Sequence, residues 1–323
     1  VATVAVPVCR TCSFLLTNWE PTEAEVDHAN FFLQRRGPDG TSMRKVNGWL
    51  FLHNLLSITG SVTAQPMMSL GGEIAVLFNG EIYNHRELSK NLTGSADAFH
   101  SDSYSIIPAY RTWGINFAQR LHGEFAIVIV DFARRTVLVC TDAFRIKPLY
   151  MATWRANGNT SSPLRFAVAT YESALTRLGA PSRARMTPAP NEVLELSMDN
   201  GFLPGRKAAT VVWDLRQHKM TTTDWSAAFL EAVRMRSAGT NQQRSTYEWV
   251  YVPLSSGYDA GAIALAMSVQ GTPFRAYSFF NGENNSVIEE RMKINERNNG
   301  SSRYLKLDEV TYAAEYTWLL QNA

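Results

Sequence analysis

The chain has 323 residues, of which 45% are hydrophobic and 19% are charged, and its formal net charge is +2. This length is sufficient for two domains with separate cores, and the composition is that of an ordinary globular protein. The charge is nearly balanced and no dense run of Lys or Arg occurs, so nucleic acid is not a predicted partner. No apolar stretch reaches the roughly 18–20 residues of a membrane span.

The three cysteines, Cys9, Cys12 and Cys140, are too few for a disulfide framework and suit a reducing compartment. Cys9 and Cys12 form one C-x-x-C pair. A zinc site usually needs a second pair, or histidines at ligand spacing, and neither follows closely. The pattern therefore favours two unrelated thiols, and we expect no bound metal.

The printed sequence begins at Val1 rather than at a methionine, which indicates either processing or a fragment. Residues 1–8 are too short for a signal peptide and lack the Arg and Ser richness of a transit peptide. A processed organellar protein, mitochondrial or plastid, and a cytoplasmic one both remain open.

The first half of the sequence predicts short strands and turns with two helices. Residues 24–34 carry apolar side chains at helical spacing and are followed by a Gly-Pro-Asp-Gly break. A second helix is predicted over residues 104–121. Strands are predicted over residues 48–53, 74–78, 125–131, 136–141, 164–169 and 192–196. A stretch bearing Gly and Pro, residues 200–207, is expected to close this half.

The second half has a different pattern. An amphipathic helix is predicted over residues 223–237, capped by threonines. A strand (249–254), a turn (255–259), a helix (260–269) and a strand (274–280) follow, with a further strand at 304–307. This order is typical of the start of a parallel α/β unit. We therefore expect an N-terminal extension (1–11), a first domain (12–205) and a truncated second domain (220–323).

The string FNGEIYNH, residues 78–85, resembles the glutaminase domain of the asparagine synthetases, which are class II glutamine amidotransferases. Further motifs of that family follow one another in family order with similar gaps. They are RGPD (36–39), HNLLSI (53–58, where the family has HxRLSI), QPM (65–67), LHGEFA (121–126) and Asp142 with IKPLY (146–150).

The resemblance implies an α/β (α+β) fold class. It implies a four-layer αββα N-terminal-nucleophile hydrolase sandwich, followed by a partial parallel α/β pyrophosphate-loop domain. Such enzymes hydrolyse glutamine to glutamate and ammonia. A processed N-terminal cysteine attacks the side-chain amide and its own amine serves as the base. An asparagine side chain and a glycine N–H stabilise the oxyanion that develops.

Carried over residue by residue, the resemblance assigns the nucleophile to Cys12 and the oxyanion hole to Asn79 and Gly80. It assigns substrate binding to Asp102, which would pair with the amine of glutamine, and to Glu81. Because eleven residues precede Cys12, this chemistry requires cleavage in front of it. Without that cleavage the catalytic residues are vestigial.

One expected residue is missing. Leu55 stands where the HxRLSI motif has an arginine that pairs with the α-carboxylate of glutamine. A leucine cannot make this charge-assisted bidentate pair, so substrate binding should weaken by several kcal/mol. The nearest cations in sequence, Arg44 and Lys45, are predicted to be surface groups.

Residues 254–260, LSSGYDA, resemble the pyrophosphate loop of the synthetase domain, LSGGxDS. Such a loop holds ATP phosphates with backbone N–H groups at a helix N-terminus. Here Ser256 replaces a glycine and Ala260 replaces a serine. The family's later ATP- and aspartate-binding motifs do not occur in the sequence. The remnant of the loop consists of Ser255, Ser256, Gly257 and Asp259. We therefore favour a strand–helix turn with a serine cap, with no cofactor, over a loop that still binds ATP and Mg²⁺.

Three functions remain open. The first is a catalytically degenerate asparagine-synthetase-like protein that acts as a structural or accessory subunit with other protein subunits. The second is an active glutaminase or amidotransferase that releases ammonia from glutamine after cleavage between Thr11 and Cys12. The third is a sensor that binds an amino acid or a nucleotide without turnover. The departures from the family pattern favour the first, a pseudoenzyme.

Overall fold

A computed structural model describes residues 12–57, 62–156, 161–214, 221, 224–238, 250–279, 282–305 and 313. The chain divides into two compact units, Val1–His218 and Lys219–Ala323. The predicted N-terminal extension with Cys9, and the threonine predicted to cap the helix at residue 223, lie outside the described residues. No helix within the described ranges is long and apolar enough to cross a membrane.

The described part of the first unit contains two six-stranded sheets in which every pair of neighbouring strands is antiparallel. The strands are β1 (Ser13–Thr17), β2 (Gly40–Val46), β3 (Trp49–Leu55), β4 (Met67–Met68), β5 (Ile74–Ile82), β6 (Gly123–Asp131), β7 (Thr136–Thr141), β8 (Tyr150–Arg155), β9 (Leu164–Ala169), β10 (Arg185–Met186), β11 (Glu192–Ser197) and β12 (Leu203–Val211). The first sheet has the order β10-β8-β9-β1-β3-β2 and the second has the order β12-β11-β7-β6-β5-β4.

Four helices cover the outer faces of these sheets. They are α1 (Glu23–Leu33), α2 (His85–Thr93), α3 (Ile106–Trp113) and α4 (Glu172–Arg177). Leu33 of α1 and Leu175 of α4 pack with Leu15 against the first sheet, while Leu88 of α2 and Ile106 of α3 pack against the second. The described residues of the first unit therefore form four layers, in the order helix, sheet, sheet, helix.

The layer between the two sheets is built by strict alternation along the strands, because successive side chains point to opposite faces. In β1, Phe14 and Leu16 pack into this inter-sheet layer, whereas Leu15 faces the helices. In β5, Ala75 and Leu77 pack into the same layer from the opposite sheet. The same alternation places the side chains of the candidate site.

One sequence-based prediction in this unit is wrong. Residues 104–121 do not form one helix: α3 lies between 3-10 helices at Asp102–Ser105 and Gly114–Arg120, because Gly114 adopts a φ of +57° and ends the α-helix. The stretch predicted to close the first half, residues 200–207, enters β12, which lies at the edge of its sheet.

The second unit contains a three-stranded parallel sheet of β13 (Val250–Pro253), β14 (Phe274–Phe279) and β15 (Ser301–Leu305). Three helices accompany it: α5 (Trp225–Ala238), α6 (Tyr258–Val269) and α7 (Asn285–Arg297). Val252, Phe274 and Ile288 are buried in its core. The predicted strand at 304–307 begins earlier, at Ser301, and α7 was not predicted.

Candidate functional site

Cys12 lies immediately before β1, and its thiol is held by the end of β3. The N–H of Leu56 donates to Cys12 Sγ at 3.3 Å, and the thiol contacts the Leu56 carbonyl oxygen at 3.6 Å. The next residue, Ser13, donates from Oγ to the carbonyl of Leu33 in α1 at 2.7 Å. The position of the thiol is therefore set by a neighbouring strand and by a helix.

A buried polar network anchored on Asn54 fixes this corner of the molecule. Asn54 Nδ2 donates to Ser13 Oγ at 3.0 Å and to Asn30 Oδ1 at 2.8 Å, and Thr41 Oγ1 donates to Asn54 Oδ1 at 2.7 Å. Sequence reasoning missed Asn54, because it occupies the variable position of HxRLSI. Asn54 lies two residues after a buried side chain of β3, and this alternation was the one indication that it faces α1.

Cys12 and Asn79 project into the inter-sheet layer from opposite sheets. Phe14 faces this layer, so Cys12, two residues earlier, lies on the same face of the extended chain. Leu77 faces the layer from β5, so Asn79, two residues later, does so too. The structure thus places the predicted nucleophile and the predicted oxyanion amide on facing walls.

The side chain of Asn79 is only 1% exposed, and within the described residues neither Oδ1 nor Nδ2 has a hydrogen-bond partner. A buried polar group without a partner costs about 1–3 kcal/mol. Such an amide is a preformed donor for a ligand oxygen. This geometry matches the chemistry that an oxyanion hole requires.

Gly80 has a packing reason to be glycine that is separate from chemistry. Its φ is +157°, and a Cβ atom there would lie 2.1 Å from the carbonyl oxygen of Glu124 in β6. Any side chain would force β5 away from β6. The presence of Gly80 therefore follows from the close approach of two strands and does not by itself indicate catalysis.

Asp102 is buried at the end of β5 and its carboxylate is already hydrogen-bonded. Oδ2 accepts from the N–H of Ile82 at 2.8 Å, and Oδ1 accepts from the N–H of Ser103 at 2.7 Å and from Ser101 Oγ at 3.1 Å. Burial raises the pKa of this carboxyl group, and the Ile82 N–H opposes the rise. Glu81, the residue before Ile82 in β5, is half-buried.

Several of these groups shift the pKa of the Cys12 thiol. Burial raises the pKa of the Cys12 thiol, the Leu56 N–H lowers it, the carboxylate of Asp102 raises it and the guanidinium of Arg36 lowers it. Asp102 and Arg36 therefore both lie within electrostatic reach of the sulfur. The net direction, upward, leaves less thiolate at neutral pH than a free cysteine would have.

Leu55 occupies the position next to the thiol. Ser13 pairs with Asn54 in the β1–β3 register, and continuing this register by one residue places Leu55 opposite Cys12. Phe51 packs into the inter-sheet layer, and alternation along β3 puts Leu55 on the same face. The residue at the family's arginine position is thus beside the thiol, half-buried and apolar.

The cations singled out from the sequence are not at this site. Arg44 and Lys45 lie in the edge strand β2, and Lys45 Nζ pairs with Glu20 at 2.8 Å. Arg36 lies within electrostatic reach of the thiol, and sequence reasoning did not assign it to the site. Its Nη1 donates to Tyr171 Oη at 3.0 Å, and its guanidinium lies 5.0 Å from the centroid of the same ring.

The segment after Arg36 touches β3 backbone to backbone. A Cβ atom at Gly37 would lie 2.2 Å from the carbonyl oxygen of Asn54 and 2.7 Å from the nitrogen of Leu55. The RGPD and HNLLSI strings, which are distant in sequence, are therefore in direct contact. This contact brings the backbone that follows Arg36 to the end of β3.

In the second unit, the loop between β13 and α6 is held by groups of its own unit. The N–H of Ser256 donates to Glu283 Oε2 at 2.8 Å, and the N–H of Gly257 donates to Ser255 Oγ at 3.2 Å. Arg291 donates to the carbonyl of Gly257 at 2.9 Å. Asp259 and its neighbour Tyr258 in the first turn of α6 are exposed. Sequence reasoning missed Glu283 and Arg291, because no motif contains them.

No group of three or more His, Cys, Asp or Glu side chains that could hold a metal ion occurs among the described residues. Cys140 is fully buried in β7, and burial raises the pKa of its thiol far above the ordinary value. Cys140 is therefore a core residue.

Comparisons with known proteins identify the family of the first unit. A family described as "Glutamine amidotransferase domain" matches residues 8–195, more than half of the chain. An asparagine synthetase [glutamine-hydrolyzing] of Oryza sativa subsp. japonica is 34% identical over 128 residues, and a probable one of Dictyostelium discoideum is 32% identical over 131. A Saccharomyces cerevisiae asparagine synthetase is 33% identical over 129 residues.

These matches cover 39–40% of this chain and only 22–23% of each relative. The similarity is therefore to one part of those proteins, and it confirms the resemblance seen in the motifs. The chain belongs to the glutamine amidotransferase domain family, and its amidotransferase domain is of the asparagine synthetase type.

Proposed function

We propose that this chain keeps the amide-binding half of a glutaminase site, has lost the half that binds an amino-acid carboxylate, and acts as a structural or accessory subunit without efficient glutamine hydrolysis. The observation that carries the proposal is Leu55, an apolar side chain in register with Cys12. A leucine cannot pair with a carboxylate, so glutamine would lose the charge-assisted contact that holds it.

Two further features support this proposal. The pKa of the Cys12 thiol is raised by burial, which disfavours the thiolate that attacks an amide. In the second unit, the N–H groups of Ser256 and Gly257 already have acceptors in Glu283 and Ser255. Backbone N–H groups that are already bonded are poorly available to the phosphates of a nucleotide, which supports the absence of an ATP cofactor.

The test is glutamate production by protein prepared with Cys12 as its first residue, so that a terminal amine is present. We expect little activity in the parent protein and a gain of about tenfold or more in kcat/KM for glutamine in Leu55→Arg, because the restored cation can pair with the carboxylate. Leu70→Arg, at a fully exposed position, controls for the added charge.

Two outcomes would overturn the proposal. One is parent protein with a free Cys12 terminus that hydrolyses glutamine as well as Leu55→Arg does. The other, which bears on the accessory role, is recovery of the native protein from extract only as a free monomer, measured by light scattering after size exclusion.

A second candidate function, amide hydrolysis with release of ammonia, is favoured by Asn79. Its buried amide has no partner among the described residues, a cost that a donor to a reacting oxygen would justify. In this case the Cys12-first protein should release ammonia from glutamine, and Asn79→Ala should lower kcat by about 10²–10³-fold. An absence of ammonia release from that protein would exclude this candidate.

A further inference from the structure

The parallel sheet of the second unit has its described helices on one face only. Successive side chains of a strand point to opposite faces of a sheet. Val252 of β13 and Ala276 of β14 point into the core of this unit and are 4% and 1% exposed. The helices α5, α6 and α7 contribute Val233, Ala264 and Ile288 to the same core, so all three pack on that side.

The other face of the sheet is formed by eight residues in rows that the strand register sets. They are Tyr251, Arg275 and Ser301 in the first row, Pro253, Tyr277 and Arg303 in the second, and Phe279 and Leu305 in the third. We call this surface the open face. None of its residues is buried, and Tyr251 and Phe279 are 46% and 39% exposed.

The open face combines exposure with an apolar character. Parallel sheets occur almost only with both faces covered, usually by helices. A contiguous exposed apolar surface commonly marks a place where another element docks. Among the described residues, the open face has the side chains of such a covered surface without the element that covers it. Its apolar and aromatic members are Tyr251, Pro253, Tyr277, Phe279 and Leu305.

The dimensions of the open face suit a single helix. Strands about 4.8 Å apart place the outer two of three strands about 10 Å from each other, which matches the diameter of about 10–12 Å of a helix with its side chains. The rings of Tyr251 and Tyr277 stack at a centroid distance of 5.8 Å, and the guanidinium of Arg275 lies 6.0 Å from the Tyr251 centroid. These contacts hold the rings in place, so docking requires little ordering of side chains.

The charges of the open face indicate the charge of its partner. Its charged residues are Arg275 and Arg303, and it contains no Asp or Glu. Arg303 is exposed. A second copy of the chain docking through the same face would bring the arginines of both copies together, and like charges across an interface cost several kcal/mol. A helix with carboxylates beside its apolar stripe would instead pair with these arginines.

We propose that the open face is a docking surface for an amphipathic α-helix of a partner protein, with acidic residues beside its apolar stripe. The apolar stripe packs on the tyrosines, Pro253 and Phe279, and the acidic residues pair with Arg275 and Arg303. The surface belongs to the second unit alone, so the proposal does not depend on the loss of glutamine hydrolysis.

The experiment titrates the full chain into a fluorescein-labelled synthetic peptide and follows fluorescence anisotropy. The peptide has about 18 residues, with leucines at helical spacing and glutamates beside them, so that it is partly helical alone. We expect a dissociation constant below about 100 μM. A peptide with lysines in place of the glutamates, and a peptide of scrambled order without an apolar stripe, are each expected to bind roughly tenfold more weakly.

Two pairs of matched variants locate the binding surface. Tyr251→Ser removes a ring of the open face, whereas Tyr258→Ser removes a ring that is 94% exposed on α6. Arg303→Glu reverses a charge of the open face, whereas Arg297→Glu reverses an exposed charge on α7. Tyr251→Ser and Arg303→Glu should each raise the dissociation constant of the acidic peptide about fivefold or more, and the two controls should leave it within about twofold.

The proposal fails if the acidic peptide does not bind the parent protein or if the lysine peptide binds equally well. It also fails if each control weakens binding as much as its matched variant does. Sedimentation velocity of the parent and of Tyr251→Ser tests the remaining occupant. A parent dimer that Tyr251→Ser converts to a monomer would assign the open face to a second copy of the chain and overturn the proposal.

Discussion

At the scale of single residues, two buried asparagines differ in what surrounds them. Asn54 is fully buried and makes hydrogen bonds with Ser13, Asn30 and Thr41. Asn79 is equally buried, but both polar atoms of its side chain lack partners within the described residues. One amide stabilises the fold, and the other costs free energy in the absence of a ligand.

This difference predicts opposite effects of one substitution at the two positions. Asn79→Leu should raise the free energy of unfolding by about 1–2 kcal/mol, because it removes two unsatisfied buried atoms at similar volume. Asn54→Leu should lower it by about 2–4 kcal/mol, because it leaves the partners of Asn54 unsatisfied. Urea unfolding followed by circular dichroism measures both. Destabilisation of similar size at both positions would contradict this assignment of the Asn79 amide.

Residues of the candidate site were predictable from the sequence only where they lie in a short motif. Cys12, Asn79 and Asp102 were located through their motifs, and Leu55 was recognised because it departs from one. Arg36 was not assigned to the site, since its role depends on a contact between two distant segments. The hydrogen-bond partners of Asn54 and Glu283 could not be predicted, because the partner of a single polar residue is determined by the fold.

At the scale of elements, strands with apolar alternation or apolar runs were predicted well. β7 and β9 have the predicted bounds, and β6 begins two residues earlier than predicted. The strand β2, with the sequence GTSMRKV, was missed because it has no buried residue and therefore no apolar pattern. Pairing with β3, rather than local preference, makes it a strand.

The same contrast predicts a difference in amide hydrogen exchange between β6 and β2. β6 lies between β5 and β7, and seven of its nine residues are buried. β2 is the edge strand of its sheet and is largely exposed. We expect the central amides of β6 to exchange at least about 100-fold more slowly than those of β2, because β2 can open locally. Exchange monitored by mass spectrometry on overlapping peptides tests this, and equal rates would contradict the observed order of strands.

At the scale of the whole molecule, burial of a histidine links stability to pH. His53 is 1% exposed in β3, and burial lowers its pKa from 6.5 to about 4. The unfolded chain therefore binds a proton before the folded chain does as the pH falls. The contribution of His53 to stability is constant above pH 6.5, declines as the pH falls from 6.5 to about 4, and levels off below that value. At about 1.4 kcal/mol per pH unit the loss is about 3 kcal/mol.

The measurement is the free energy of unfolding at pH 7.5 and at pH 4 for the parent protein and for His53→Gln, which cannot titrate in this range. The parent should lose about 3 kcal/mol more than the variant between the two pH values, since the carboxyl groups that also titrate are common to both. Equal losses would show that His53 is accessible to protons in the folded state.

The division into a sandwich and a small parallel unit was visible in the sequence as a change of pattern, from short strands and turns to the order strand, loop, helix, strand. The layering of the sandwich was not visible in this way. It came from the family resemblance, since no local pattern states which two sheets will face each other.

The backbone contact at Gly37 changes how the family motifs should be interpreted. An added Cβ there would collide with the carbonyl of Asn54 and displace the strand end that holds Cys12. The glycines of RGPD and of FNGE can therefore be explained by steric fit alone, in an enzyme and in a non-enzyme alike. A protein descended from a glutaminase could lose hydrolysis and still need the glycines of these motifs for packing. Departures from the motifs are therefore more informative about activity than matches to them.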